Sequence, residues 1–328
     1  MNLERLPWVS QDPASFRLLE LAQKVAPTAT TLLIVGESGT GKDHLARFIH
    51  EIGPRRDAPF LKIDCASLPP HLVESELFGH ERGSFTGAVE RKLGRLEMGG
   101  AGTIVLDEVA ALSPEAQGKM LRVLQERSFE RLGGTETLHI SARIIALTNV
   151  DLPAAVKSGT FREDLYFRLN VLTLAVPPLR ERRADILPLT EHLLDVVSKV
   201  HGRTKMRLSE GSQRMLTAYN WPGNIRELRN ALERAVVFFR RSTNAAESAS
   251  VSSGKDVTLE PADFPENIRV AGGVAAYSGA GLLSLEEIER NAIAATLDAT
   301  RYQITRSSEI LGISRKTLLE KRKKYGLK

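Results

Sequence analysis

A glycine-rich run, Gly36-Glu37-Ser38-Gly39-Thr40-Gly41-Lys42, joins the apolar stretch TLLIV at 31–35 to a helical stretch over 42–52. A buried strand that turns through glycines into a helix opens a strand–helix–strand unit. Such units build parallel sheets with right-handed crossovers. Further strand-like runs at 60–63, 103–106, 142–147 and 169–176 alternate with helical stretches, after an amphipathic helix expected over 14–26. The expected fold class is therefore α/β with a mostly parallel sheet. Pro177-Pro178 ends that pattern. Residues 184–238 then read as helix throughout, broken at Gly202 and at Trp221-Pro222-Gly223, which makes a small helical subdomain.

The same run carries chemistry. Its spacing is G-x-x-x-x-G-K in a strand-to-helix context, where backbone amides and a helix N-terminus face an anion. Lys42 is placed to reach the β- and γ-phosphates of a nucleotide. The next residue, normally a Ser or Thr that holds Mg²⁺, is Asp43. A second run, GTIVLDE at 102–108, is an apolar strand ending in two carboxylates. Buried carboxylates without a partner are costly, so this pair needs a function. Asp107 and Glu108 are expected at the Mg²⁺, Asp107 organising the ion and its waters and Glu108 also polarising the attacking water. ATP and Mg²⁺ are the implied ligands.

Composition excludes several classes. The 328 residues are 42% hydrophobic and 26% charged, as in globular chains. No run of 18 apolar residues suggests a membrane span, and the first residues lack a signal-peptide core. The single cysteine, Cys65, forms neither an internal disulfide nor a structural zinc site, and a reducing cytoplasm is expected. It reads as a buried small side chain. His50, His71 and His80 lack metal-ligand spacing, and Trp221 reads as a packing anchor.

Charge concentrates at one end. Residues 301–328 hold nine Lys and Arg against Glu309 and Glu320, while the whole chain carries only +5. Residues 241–281 are rich in Ser, Ala and Gly and read as a flexible linker around a short ordered patch, 257–268. An amphipathic helix follows from Ser284, which with Glu287 makes a capping box. Residues 305–311, Gly312 and residues 313–325 then read as helix, turn, helix, with Ser314 as N-cap of the second helix. That helix would present Ser314, Arg315, Lys316 and Thr317 to base edges in a major groove. Lys321, Arg322, Lys323 and Lys324 suit phosphates.

These motifs resemble, in order, those of sigma-54-dependent transcriptional activators, bacterial enhancer-binding proteins of the AAA+ class. GESGTGKD at 36–43 is similar to the family's Walker A, which usually has Glu after the lysine, and GTIVLDE to its Walker B. ESELFGHERGSFTGA at 74–88 resembles its signature GAFTGA loop, with Ser84 in place of the first Ala. TNVDL at 148–152 resembles sensor I, FREDLYFRLNV at 161–171 the arginine-finger segment, and WPGNIREL at 221–228 sensor II. ISRKTLLEKRKKYGL at 313–327 resembles a Fis-type helix-turn-helix. The resemblance covers about 8–240 and 282–328.

It implies an AAA+ α/β subdomain at 1–178, a helical lid at 179–240, the linker at 241–281, and an all-α DNA-binding domain at 282–328. It implies that Asn149 and Arg226 sense the nucleotide, that Arg162 and Arg168 act as fingers on a neighbouring subunit's phosphate, and that ring homo-oligomers, typically hexamers, form. Gly83, Ser84, Phe85, Thr86, Gly87 and Ala88, read as a loop whose glycines flank an exposed Phe85, would grip sigma-54 through Phe85 and Thr86. A second loop at Glu130–Gly134 would move with them. Asp64 stands where the family often has an Asn that holds the catalytic Glu. Two carboxylates there would repel, so a weaker or water-mediated switch is expected. Ser307-Ser308 replaces the family's Ala-Ala, and two hydroxyls at that crossing are expected to loosen it.

The implied function is an ATP-dependent transcriptional activator that binds enhancer DNA and remodels closed complexes of sigma-54 RNA polymerase. Two alternatives stay open at this level: a DNA-binding regulator or repressor with weak ATPase, and a generic AAA+ remodeller with another client. Only 35 residues precede the phosphate loop. No sensory domain is therefore expected there, and control by expression level or by a separate regulatory protein is.

Overall fold

In a computed structural model, residues 8–85, 87–203, 205–239, 257–270 and 289–326, except 291, 295, 298, 299 and 301, are described. The chain divides after Arg269 into two compact units. Strands of the first unit are β1 (Leu32–Val35), β2 (Phe60–Asp64), β3 (Gly79–His80), β4 (Lys92–Leu93), β5 (Thr103–Asp107), β6 (Ser128–Glu130), β7 (Thr137–His139), β8 (Arg143–Thr148), β9 (Leu172–Ala175), β10 (Met206–Leu208) and β11 (Val257–Leu259). Its helices are α1 (Pro13–Val25), α2 (Lys42–Ile52), α3 (Pro70–Phe78), α4 (Arg95–Met98), α5 (Pro114–Glu126), α6 (Leu152–Lys157), α7 (Glu163–Leu169), α8 (Ile186–Val200), α9 (Glu210–Ala218) and α10 (Asn224–Phe238).

Five strands form a parallel sheet in the order β2-β5-β8-β1-β9. Alternation along each strand builds two cores. Leu33, Leu106, Ile144 and Ala146 pack on one face with Leu77, Met120 and Leu165. Leu32, Ile34, Val105, Ile145 and Leu147 pack on the other with Leu18, Leu45 and Ile49. All six residues of β8 are buried, Arg143 included. Its guanidinium donates to the carbonyls of Val25 and Ala26 at 3.0 Å, at the end of α1, and to Thr30 O. The carbonyls of Val25 and Ala26 belong to the helix end, where acceptors lack an intrahelical partner. Burial nonetheless lowers its pKa to about 10.

The apolar run at 169–176 is not one strand. Leu165 and Leu169 lie on the buried face of α7, and only Leu172–Ala175 extend, pairing with β1. The helical subdomain also departs from expectation. Met206–Leu208 is a strand, and it pairs in parallel with β11 from the patch assigned to the linker. Leu259, Phe264 and Ile268 join α8, α9 and α10 in one core with Trp221. The patch is thus part of the lid. Trp221 is fully buried and donates its indole N–H to Leu216 O at 2.9 Å. The start of the chain is tied to the lid as well. The buried Asp185 carboxylate accepts from Gln11 N at 2.6 Å, Asp12 N at 2.8 Å and Ser15 Oγ at 2.5 Å.

In the second unit, Ile293, Leu297 and Leu318 form a small core with Ile304, Leu311, Ile313 and Tyr325. Helices Ile304–Leu311 and Arg315–Lys324 flank the turn, and Ser314 Oγ accepts from Thr317 N at 3.1 Å. The two hydroxyls expected to loosen the crossing are instead both satisfied. Ser307 Oγ shares a 2.6 Å bond with Thr300 Oγ1, and Ser308 Oγ donates to Thr305 O at 2.8 Å. The capping box at Ser284 and Glu287 lies outside the described residues. Among the described residues no helix is long and apolar enough to cross a membrane.

Candidate active site and its neighbouring loops

The glycine loop leaves β1 and enters α2 at Gly41. Lys42 is buried and its ammonium donates to Gly36 O at 2.9 Å and Glu37 O at 3.1 Å. The lysine thus closes on its own loop, at the place where phosphate oxygens would compete for it. Burial pushes its pKa down, opposed by Glu108 and Asp107.

The lid grips this loop through residues that sequence reasoning missed. Arg180 donates two bonds to the Glu37 carboxylate, at 2.6 and 2.8 Å. Asn224 Nδ2 donates to Glu37 Oε2 and Ser38 O, both at 3.1 Å, while its Oδ1 accepts from Leu179 N at 2.7 Å. Arg180 and Asn224 hold the Glu37 pKa down at about 2. Glu37, expected at the nucleotide, is therefore committed to the lid. Arg182 is buried and donates to Thr40 O at 2.7 Å. Arg226 donates to Ser38 Oγ at 2.6 Å. The approach is so close at Gly39 (φ +78°) that a Cβ there would meet Gly223 O at 2.5 Å. Only a residue without a side chain fits.

Beside the loop opens a cleft of about 350 Å³, lined among others by Trp8, Asp43, His44, Lys62, His192 and Arg226. Three buried polar atoms on its lining residues lack a partner among the described residues: Trp8 Nε1, His192 Nε2 and Arg182 Nε. Such orphans are expected where a polar ligand completes the site.

The two carboxylates of the second motif separate in role. Asp107 Oδ2 lies 2.7 Å from Lys62 Nζ, which is 3.7 Å from Asp43 Oδ2. Burial disfavours the Lys62 ammonium, yet Asp107 and Asp43 hold its pKa above the ordinary value. This pair of oxygen donors already carries a cation, and Mg²⁺ is commonly held by one or two carboxylates plus substrate phosphates. Among the described residues no three His, Cys, Asp or Glu converge on a metal, so phosphate would have to complete the shell. Glu108 sits at φ +52°, and its Oε2 accepts from Asn149 N at 3.3 Å. Strain at such a position often marks a functional site. Expected as a second metal ligand, Glu108 is turned to the sensor segment.

Asp64 differs from expectation. Its Oδ1 accepts from Ala66 N at 2.9 Å and Ser67 N at 3.2 Å, so one carboxylate oxygen is taken up by its own loop. Cys65 is buried, and burial pushes its thiol pKa up to about 12. Arg162 is exposed and makes a two-bond pair with Asp164, at 3.0 and 2.7 Å. Arg168 is exposed on α7, and neither arginine lines the cleft.

The 83–88 loop is closed at its foot by Gly83 N donating to Ala88 O at 2.8 Å. Thr86 lies outside the described residues. Phe85, expected to be exposed, is half-buried edge-on against His80, with ring centroids 5.0 Å apart. The loop at 130–134 stands against it. Glu81 N donates to Leu132 O and Leu132 N to Gly79 O, both at 3.0 Å. Buried Arg131 binds Glu97 through two bonds, Glu81 at 3.0 Å and Glu136 at 2.8 Å. At Gly133 (φ +72°) an added Cβ would come within 2.6 Å of Ser84 Cβ. Ser84 Oγ is buried without a partner among the described residues.

At the basic end, Arg315, Lys316 and Lys323 are exposed. Lys321 was assigned to phosphate, but its ammonium lies 2.5 Å from Glu289 Oε1, while Tyr325 OH donates to Glu289 Oε2 at 2.6 Å. It ties the second helix to the first described helical segment of its own unit.

Residues 8–175 match the Sigma-54 interaction domain, 180–248 an AAA+ ATPase lid domain, and 284–325 the Fis family of bacterial regulatory proteins. The transcriptional regulatory protein FlbD of Caulobacter vibrioides is 41% identical over 97% of this chain and 70% of its own length. The regulatory protein AtoC of Escherichia coli is 42% identical over 97% of this chain and 68% of its own. For the Nif-specific regulatory protein of Klebsiella pneumoniae the identity is 43%, over 93% of this chain and 56% of that protein. The solved structure of NtrX from Brucella abortus in complex with ATP has a TM-score of 0.73 at 32% identity, covering 98% of this chain and 70% of that one. With a hydrolytic set at the strand ends, a lid clamped on the phosphate loop and three matched segments in one order, the chain belongs to the sigma-54 activator family of AAA+ ATPases.

Proposed function

We propose that this chain is an ATP-driven transcriptional activator that binds enhancer DNA and converts closed complexes of sigma-54 RNA polymerase into open ones. The observation that carries the reading is the shared footing of two loops on one body: 83–88 and 130–134 meet at Ser84 and Gly133 and are bolted by Arg131. In this reading Lys42 exchanges its two loop carbonyls for phosphate oxygens. Asp107 and Asp43 would hold Mg²⁺, which would supply neutralising charge to the nucleotide phosphates. Glu108 accepts a proton from the attacking water, oriented by Asn149 N. Arg162 leaves Asp164 to reach the phosphate of the adjoining subunit in a ring, for which we propose a hexamer.

The working parts are 1–178 for hydrolysis and sigma-54, 179–240 with 257–269 for the lid, the intervening linker segments, and 282–328 for DNA. Arg315, Lys316 and Thr317 take base edges; Arg322, Lys323 and Lys324 take phosphates. The protein acts in the cytoplasm. In vitro transcription from a sigma-54 promoter tests this: ATP supports open complexes and a non-hydrolysable analogue does not. Thr86→Ala is expected to keep hydrolysis and lose open-complex formation, and equal loss of both refutes the loop assignment.

A further inference from the structure

Lys62 is absent from every motif, yet it sits at the centre of the metal-binding carboxylates. It lies on β2, the edge strand beside β5, two residues before the position paired with Asp107. Its ammonium is 2.7 Å from Asp107 Oδ2 and 3.7 Å from Asp43 Oδ2, in a side chain only partly exposed. The residue after the phosphate-loop lysine is itself a carboxylate here, so the site carries two negative charges where a hydroxyl and one carboxylate would carry one. Two carboxylates held together need a counter-charge. A lysine ammonium supplies a compact one with three donors.

We propose that Lys62 is a resident counter-cation of the Mg²⁺ site, holding the carboxylates of Asp107 and Asp43 in the metal-free cleft and giving way when Mg²⁺ arrives with nucleotide. The inference rests on the nucleotide reading of the cleft. Its physical content is a competition: an ammonium and a divalent cation cannot both take Asp107 at hydrogen-bond distance. The lysine therefore supports nucleotide binding without metal, by screening the carboxylates from the phosphates. It also raises the Mg²⁺ concentration needed to tighten that binding.

The test titrates a fluorescent MANT-ADP into the full chain, in EDTA and at rising free Mg²⁺. The quantity read is the ratio of ADP affinities with and without Mg²⁺. Losing one charge-assisted hydrogen bond is expected to raise that ratio about ten-fold in Lys62→Met. Lys62→Gln should move it in the same direction, and serves if the methionine variant does not fold. In nucleotide-free melts, Mg²⁺ should raise the Tm of either variant more than that of the wild type. An unchanged ratio in both variants overturns the proposal. Failure of every protein, wild type included, to bind MANT-ADP would instead refute the nucleotide reading. The melts would then still decide on Lys62, and an equal Mg²⁺ shift in wild type and variant would refute it.

Discussion

The nucleotide cleft and the 83–88 loop are held together differently. Around the phosphate loop, side chains from distant parts of the chain each satisfy a named atom: Arg180 on Glu37, Asn224 on Glu37 and Ser38, Arg182 on Thr40. Around 83–88 the bonds among the described residues are short-range backbone ones, such as Gly83 N to Ala88 O at 2.8 Å and Ala88 N to Phe85 O at 3.0 Å. Phe85 leans on one histidine, Ser84 buries a hydroxyl without a partner among the described residues, and Val89 is 74% exposed. One region fixes reacting groups, as catalysis requires. The other is held, among its described residues, by few side-chain bonds, the pattern of a segment of low local stability.

The largest effect expected from that contrast is at Glu108. Glu108→Gln should lower steady-state phosphate release by about 10²–10⁴-fold with nucleotide affinity retained. Equal loss of both would mean that the residue shapes the cleft and does no chemistry. Next is Asn224, buried, left-handed at φ +52° and bonded to three partners. Asn224→Ala should destabilise the first unit by about 2–4 kcal/mol in chemical denaturation. A much smaller loss would show the lid to be loosely held, and the contrast would fail.

The clamp also has an acid limit. The Glu37 carboxyl is depressed to about 2 from an ordinary 4.5. A depressed folded-state pKa gives stability that is present above the unfolded value and lost as pH falls through the folded one. Melting temperature should therefore be insensitive to this group from pH 8 to 5 and fall between about 4.5 and 2. Glu37→Gln should remove that part of the acid dependence. The smallest effect is at the loop: Ser84→Ala removes a buried hydroxyl without a partner among the described residues and should be neutral or stabilising by about 1 kcal/mol in the same denaturation assay.

What could be read from sequence was whatever is local. The strand, glycine turn and lysine follow one another in the chain, and so do the apolar strand and its two carboxylates. Ser314 caps its helix from three residues away, and sequence spacing suffices to find it. Lys62, Arg180 and Arg182 carry no local signal, and Asn224 lies in WPGNIREL without a role assigned to it, because their partners lie on other elements. Asn224 is 187 residues from Glu37 and Arg182 is 142 from Thr40. The patch at 257–268 belongs to the lid for the same reason: among the described residues its three-residue strand pairs with Met206–Leu208. The run at 169–176 failed for a different one, since Leu165 and Leu169 satisfy a helical face and Leu172 and Leu174 a strand within a single apolar stretch.

Asp185 gives the molecule a tether between its beginning and its lid. Three donors from residues 11, 12 and 15 converge on this one carboxylate at the start of α8. The residues that enter α1 and the first residues of the lid thus share one buried carboxylate, and a substitution at Asp185 would release three donors from the other end of that contact at once.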